Sequence, residues 1–233
     1  GSHHNTVVDS GVEDGDIASD AAFDAAGVAL SGKVVRITDT FFSNAVAYTG
    51  SGTLQVPTAS GDSLLSFASG GDFSATKVAP GYGWFRVRPN EADAGDLASV
   101  LTTHAHLNVP STGATGFTVP VLDREMLTTI YFGLAGAPII RTDAAQVVFA
   151  FFRNGQPVSG VQITGAPTNA GIAYDDSSSY STLRTATGSR GIAILVNVTG
   201  AGDVTLKYDT GVTKKFTVVY VQGEGSYVEY EVP

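Results

Sequence analysis

Apolar runs and turn signals alternate from residue 146 to residue 232: QVVFAFF (146–152), RNGQP (153–157), VSGVQI (158–163), RGIAILVNV (190–198), DVTLKY (203–208), KKFTVVYV (214–221) and SYVEYEV (226–232). Runs of this length, rich in Val, Ile, Phe and Tyr and separated by Gly, Pro and Asn, are typical of strands in a β-sandwich. Residues 143–233 are therefore predicted to form one antiparallel β-sandwich.

The piece before it, residues 30–142, repeats the pattern of short strands and tight turns. Its predicted strands are KVVRITDTFF (33–42), TLQV (53–56), SLLSFA (63–68), DFSATKV (72–78), YGWFRVRP (82–89) and THAHLNVP (103–110). One helix follows, with Asp123 as its N-cap, Glu125 in its first turn and an apolar face of Met126, Leu127, Ile130, Tyr131 and Leu134. The sequence thus predicts an all-β protein with two antiparallel β-sandwich domains in series, joined by a short connector helix.

An acidic N-terminal tail precedes both domains. Residues 1–29 hold six of the 22 acidic residues and no Lys or Arg, so the other 16 acidic residues face 13 basic ones in a nearly neutral body. One interpretation is a solvated tether. The other is a donor segment whose apolar residues pair with a partner's sheet edge: Val7, Val8, Ile17, Phe23 and Val28.

Composition excludes several classes of function. The chain has no cysteine, which removes thiol catalysis, disulfides and thiolate metal sites. No basic stripe is present, so nucleic acid is not an expected partner. No apolar run is long enough to span a bilayer. The first residues, Gly1 to His4, are either a cloning scar or native residues that follow a lipidated cysteine, which would place a lipid anchor upstream of Gly1.

Two stretches of the C-terminal piece resemble carboxypeptidase regulatory-like domains, also called transthyretin-like domains. The matching residues of the opening hairpin are Gly155, Pro157, Ser159, Gly160, Val161 and Ile163. Those of the central stretch are Thr187, Gly188, Gly191, Ile192, Ile194, Asn197, Val198, Gly200, Val204 and Leu206. The resemblance covers about 85 residues and implies a β-sandwich that serves as a non-catalytic accessory module, as in bacterial exported lipoproteins.

One motif points to catalysis, but the sequence gives it no partner. Gly61-Asp62-Ser63-Leu64 spells the nucleophile motif of GDSL esterases. A serine nucleophile needs a histidine base, and in those enzymes the histidine lies three residues after an aspartate. None of the four histidines does so here, and no enzymatic activity or cofactor is expected.

His104 and His106 are the candidate metal ligands. Side chains at positions i and i+2 of a strand point to the same face, so the two imidazoles form half of a zinc, copper or nickel site. The alternative is a pair of surface histidines without a metal. Asp175 and Asp176 offer oxygen ligands for calcium but lack EF-hand spacing, and a plain loop is the competing interpretation.

The function predicted from these features is structural. We expect a non-catalytic, extracellular or cell-surface protein, either a bacterial outer-membrane lipoprotein or a secreted one. It would act in structure or adhesion and could assemble into a homo-oligomer or fibre by strand addition through its N-terminal segment. The alternative is an accessory module of a surface lipoprotein that binds a carbohydrate or a transition metal.

Overall fold

The structure is a computed structural model that describes residues 27–233. Strands make up 53% and helices 8% of it, which confirms the all-β class. The first half contains the strands β1 (Val28–Ile37), β2 (Ala45–Ala47), β3 (Gly52–Thr58), β4 (Gly61–Phe67), β5 (Asp72–Val78), β6 (Gly81–Pro89), β7 (Thr103–Val109) and β8 (Ala114–Leu122). It also contains a 3-10 helix over Asn90–Leu97 and the α-helix α1 (Arg124–Phe132). The second half contains β9 (Ala145–Arg153), β10 (Gln156–Pro157), β11 (Gln162–Gly165), β12 (Gly171–Asp176), β13 (Ser179–Ser181), β14 (Ile192–Val198), β15 (Val204–Tyr208), β16 (Val212–Phe216) and β17 (Gly225–Glu231).

The strands of the first half pack around one hydrophobic core, to which buried residues of β9, β12 and β14 also contribute. β4, β3, β6 and β7 hydrogen-bond in that order, while β1 pairs with β5, β2 and β8. A single residue pair, Thr58 with Val78, connects β3 to β5, and the sheet passes from one layer to the other at this pair. The core between the two layers holds large side chains from both, including Leu54, Phe85 and Val119.

The connector helix forms where the sequence predicts it. Asp123 precedes the helix, and its Oδ1 accepts a hydrogen bond from the Met126 backbone N–H at 2.7 Å. Its Oδ2 accepts a hydrogen bond from Arg36 of β1, which ties the start of the helix to the first sheet. The buried face of α1 consists of Met126, Leu127, Ile130 and Tyr131.

The second half is a sandwich of two sheets. β13, β12, β14 and β9 form one layer, and β11, β15 and β16 form a separate three-stranded sheet. Buried residues from both layers form a second core, among them Phe149, Leu195 and Leu206. Every residue of β14 is buried, as expected for a central strand between packed layers.

β17, the last strand, lies between the two halves and runs parallel to both of its neighbours. It pairs with β7 through Gly225–Val228 and with β9 through Gly225–Glu231. One continuous sheet therefore crosses the molecule, and the two halves lie side by side. A parallel central strand of this kind is not part of the antiparallel pattern that the sequence predicts.

A buried polar network fixes the connector against the second half. Tyr131 on α1 donates its hydroxyl to Gln146 Oε1 at 2.6 Å, and Gln146 Nε2 donates to Asn197 Oδ1 at 2.8 Å. Asn197 also donates to the carbonyl of Ile139 and accepts from the backbone N–H of Arg141. Because its side-chain oxygen and nitrogen are both engaged, Asn197 is held inside the fold.

Candidate functional site

Polar and aromatic side chains gather on one face of β6, β7 and β17. His104 of β7 lies opposite Arg86 of β6 and Ser226 of β17, and His106 lies opposite Trp84. The face is shared between the halves, because β6 and β7 belong to the first and Trp84 packs against the second core. The two candidate metal ligands, His104 and His106, thus lie on a face between the two halves.

His104 belongs to a triad of ionisable side chains with Glu224 and Arg86. Its Nε2 atom lies 2.5 Å from Oε2 of Glu224, and Arg86 Nη2 donates to Glu224 Oε1 at 2.7 Å. Burial acts to raise the pKa of Glu224, but the hydrogen bonds from His104 and Arg86 outweigh it and hold that pKa below its usual value. The triad therefore keeps a carboxylate charged where β17 begins.

His106 lies in an aromatic cluster. Its ring stacks on Tyr82 with centroids 5.1 Å apart, and the centroids of Trp84 and Phe216 are each 5.0 Å away. Burial lowers the pKa of His106, although a hydrogen bond to the carbonyl of Glu229 acts in the opposite direction. His106 is therefore neutral at pH 7 and packs as an aromatic residue.

These contacts bear on the predicted metal site without testing it. His104 and His106 share a face, but one imidazole bonds a carboxylate and the other packs among aromatic rings. Across residues 27–233, no three His, Asp or Glu side chains are grouped so that they could hold a metal ion. Metal binding at His104 and His106 stays a prediction.

A cavity of about 310 Å³ opens beside the triad, between the halves. Three arginines line it, and each already has a partner. Arg88 pairs with Asp93 at 2.5 Å, Arg141 pairs with Asp143, and Arg124 donates to the carbonyl of Ala98. Two of the three positive charges are thus neutralised by carboxylates, whereas Arg124 has no carboxylate partner within residues 27–233.

Ser63 of the GDSL motif lies far from either described histidine. It is in β4, and β3 and β6 separate that strand from β7. At about 4.8 Å per strand, β4 and β7 are roughly 14 Å apart. A serine hydroxyl at that distance cannot pass its proton to His104 or His106.

The neighbouring residues Asp175 and Asp176 differ, because Asp175 is buried and structural whereas Asp176 is exposed. Asp175 is fully buried, and its carboxylate accepts hydrogen bonds from the backbone N–H groups of Gly188, Arg190 and Ile192. Asp176 pairs with Arg184 at the surface. Asp175 thus organises the loop before β14, and its oxygens are already engaged.

The free sheet edges differ in how they are protected. β2, β10, β11 and β13 have at most four residues, β16 carries two lysines, and β8 contains a proline and a bulge. β5 has Lys77 at a positive φ. β4 pairs only with β3, runs for seven residues without a Lys or Pro, and leaves Leu64 67% exposed. Short length, lysines, prolines and bulges all hinder the addition of another strand. Among the described residues, β4 lacks these features and is therefore the open edge, the one that can accept an added strand.

Most of the predicted donor residues lie outside the described range. Val7, Val8, Ile17 and Phe23 precede residue 27. Val28 is the first residue of β1, where it pairs with Val78 and packs against the first core of its own chain. A donor segment in this protein would therefore end before Val28.

Sequence reasoning missed Arg86, Glu224 and Phe216, which complete the surface around the histidines. Glu224 lies 120 residues after His104 in the chain, and only the parallel pairing of β17 with β7 brings them together. A local pattern contains no signal for such a contact.

The comparisons with known proteins give distant structural matches only. No family model matches the chain, and none of the curated proteins does. Among solved structures, the Bacillus anthracis TIE protein matches 89% of this chain at 9% identity and a TM-score of 0.26. A streptococcal ancillary pilin matches 88% at 13% identity and a TM-score of 0.24. The chain spans 33% of the first protein and 62% of the second. Scores this low assign neither a fold family nor a role to this chain, and the carboxypeptidase regulatory-like resemblance stays a hypothesis.

No helix within residues 27–233 has the length and apolar character needed to cross a membrane.

Proposed function

We propose that this chain is a non-catalytic structural protein of a cell surface, which assembles with its own copies through its N-terminal segment. The observation that carries the proposal is the open edge of β4. Its outer N–H and C=O groups have no strand partner within residues 27–233 and can accept an added strand, and Leu64 beside them offers an apolar contact.

The N-terminal segment has the composition of a donor. Ile17, Ala21 and Phe23 fall on one face of an extended chain, and Asp20 and Asp24 fall on the other. An added strand with this alternation presents apolar side chains to the protein and carboxylates to water. Its backbone supplies the affinity and its alternate side chains the specificity.

The geometry also argues against hydrolysis. Neither His104 nor His106 is within reach of Ser63, and these two described histidines are engaged in the triad and the aromatic cluster. A surface location, by secretion or through a lipid anchor upstream of Gly1, belongs to the same proposal. It accords with the cysteine-free, low-charge composition of an exported β-protein.

Deleting residues 1–26 tests the proposal. We expect the full chain to form oligomers or fibres in light scattering and negative-stain microscopy, and the shortened chain to stay monomeric with an unchanged far-UV circular dichroism spectrum. Adding the separate peptide 1–26 should produce a 1:1 complex with the shortened chain. A monomer before and after the deletion would overturn the proposal.

A charge on β4 tests the receiving edge. Leu64→Lys places an ammonium group on the open edge and should block assembly. Val212→Lys is the matched control, because Val212 is also an exposed apolar residue of an edge strand, but beside Lys214 and Lys215 in β16. Equal assembly of both variants would exclude β4 as the receiving strand.

A second candidate function is metal binding, which the short contact between His104 and Glu224 favours. Together they supply one imidazole nitrogen and one carboxylate, both ordinary zinc ligands. The test is calorimetry with Zn²⁺ on a chain that lacks residues 1–4, which removes His3 and His4. Heat that disappears in His104→Gln supports the site, and the absence of heat in the parent rejects it.

A further inference from the structure

Three large apolar side chains are exposed at one end of the molecule. Leu97 is 89% exposed, Phe132 is 81% exposed and Ile139 is 76% exposed. We call these three residues the end patch. Single exposed apolar residues are ordinary, but a group around one groove is typical of an interaction surface.

Two residues of the end patch, Phe132 and Ile139, line a groove of about 320 Å³. Pro138 also lines the groove, together with Asp96, the residue before Leu97. Arg124 at the start of α1 donates to the carbonyl of Ala98 at 2.9 Å, which holds the 3-10 helix against α1. The patch therefore combines Leu97 of the 3-10 helix and Phe132 of α1, two helices fixed to each other, with Ile139 in the segment after α1.

The end patch lies at the end of the molecule opposite to the start of β1. Ile37, the last residue of β1, pairs with Leu122, two residues before α1 begins. Val28 lies nine residues back along the strand, or about 30 Å away at 3.3 Å per residue. β17 starts beside Thr103 near the patch and also runs away from it.

β4 runs from the end at which β1 starts towards the end that carries the patch. It starts at Gly61, which pairs with Thr58, and Thr58 in turn pairs with Val78 beside Val28. It ends at Phe67, whose partner Gly52 also pairs with Pro89, directly before the 3-10 helix. An added strand that runs parallel to β4 therefore leaves it at the patch end.

We infer that a second copy of this chain covers the end patch, seated through the end at which its own β1 begins. The inference rests on the proposed function. A donor segment from the second copy that runs parallel along β4 reaches the patch end just before it enters β1, which puts that end of the second copy over the patch. The two surfaces in contact differ, so the contact is heterologous and repeats along a filament.

Cysteine pairs test this arrangement directly, because the chain has no cysteine of its own. Phe132→Cys marks the patch. Thr112→Cys marks the opposite end, in the exposed turn before Ala114, which pairs with Leu30 of β1. Under mild oxidation of the assembled full chain, we expect covalent dimers when the two single variants are mixed and none when either is alone. The control mixture combines Leu183→Cys with Thr112→Cys. Leu183 is 87% exposed, but it lies elsewhere on the molecule, so its cysteine reports only random contacts.

Dimers formed by Phe132→Cys alone would show that two patches face each other and would overturn the inference. Assembly without any dimer in the mixture, or dimers at the level of the Leu183→Cys control, would also overturn it.

A second variant measures the contribution of the patch. Phe132→Ser with Ile139→Ser should raise the concentration at half-assembly at least tenfold, whereas Leu183→Ser should leave it unchanged. If deletion of residues 1–26 abolishes assembly but the double variant assembles like the parent, the inference fails and the proposed function stands. A parent chain that never assembles overturns both.

Discussion

Tyr227 and Val228 are neighbours in β17, yet their side chains pack into different hydrophobic cores. Tyr227 is buried in the first core, to which β9, β12 and β14 of the second half also contribute, and Val228 is buried in the second core. Successive residues of a strand point to opposite faces, so a strand between two cores contributes to both. β17 therefore makes the stability of each half depend on the other.

Truncation of either side chain should destabilise the whole chain. We expect Tyr227→Ala to lower the free energy of unfolding by about 3–5 kcal/mol and Val228→Ala by about 2 kcal/mol, because both leave cavities in packed cores. Urea unfolding followed by Trp84 fluorescence and by far-UV circular dichroism should give one coincident transition for each variant. Two separate transitions, with only one shifted by Val228→Ala, would show that the halves unfold independently.

The polar network behind α1 should contribute measurably to stability. Tyr131→Phe removes the hydroxyl that donates to Gln146 and should cost about 1 kcal/mol. Tyr220→Phe is the control, because among the described residues the buried hydroxyl of Tyr220 has no hydrogen-bond partner. It should be neutral or stabilising in the same urea titration. If both variants lost the same unfolding free energy, the polar network would not account for the effect of Tyr131→Phe.

His106 should make the protein sensitive to mild acid. Burial lowers its pKa in the folded state, so the unfolded chain takes up the proton first, below about pH 6.5. Stability is complete above that pH and falls as the pH drops towards the folded-state pKa. His106→Phe keeps an aromatic ring beside Tyr82 and should reduce the loss of unfolding free energy between pH 7.5 and pH 5.5.

Urea titrations at both pH values measure that difference. Between pH 7.5 and pH 8.5, the parent and His106→Phe should change in parallel, since His106 does not titrate there. If His106→Phe lost as much unfolding free energy as the parent between pH 7.5 and pH 5.5, groups other than His106 would cause the acid sensitivity.

Asp175 should be structural and independent of calcium. Asp175→Asn leaves one acceptor oxygen for three backbone N–H groups and should cost about 2–3 kcal/mol. Asp176→Asn breaks only an exposed pair with Arg184 and should stay within about 0.5 kcal/mol of the parent. Thermal unfolding with and without calcium gives the measurement. A calcium-dependent rise in Tm of the parent that Asp175→Asn loses would restore the calcium interpretation.

Local sequence signals were sufficient for the features that local chemistry determines. Asp123 was predicted as the N-cap of α1 because its carboxylate can accept from the first helical turn, and the structure confirms that bond. The all-β class followed from alternation and turn residues in the same way.

Contacts between distant segments could not be predicted by these means. The pairing of Glu224 with His104 depends on the parallel register of β17 against β7, for which neither strand carries a distinguishing pattern. The open edge of β4 was likewise invisible, because an edge is defined by the absence of a neighbouring strand. The GDSL residues at the start of β4 match an enzyme motif in the sequence. In the structure, the exposed edge of the same strand favours a docking surface.

The position of β17 also has a consequence for how the chain is made. During synthesis, β7 and β9 leave the ribosome before residues 225–231 exist, and each then lacks the strand that later fills the space between them. Contacts across about 120 residues of chain also slow folding. A product cut short before Gly225 lacks the strand that joins β7 to β9, so only chains that reach β17 can complete the sheet that crosses the molecule.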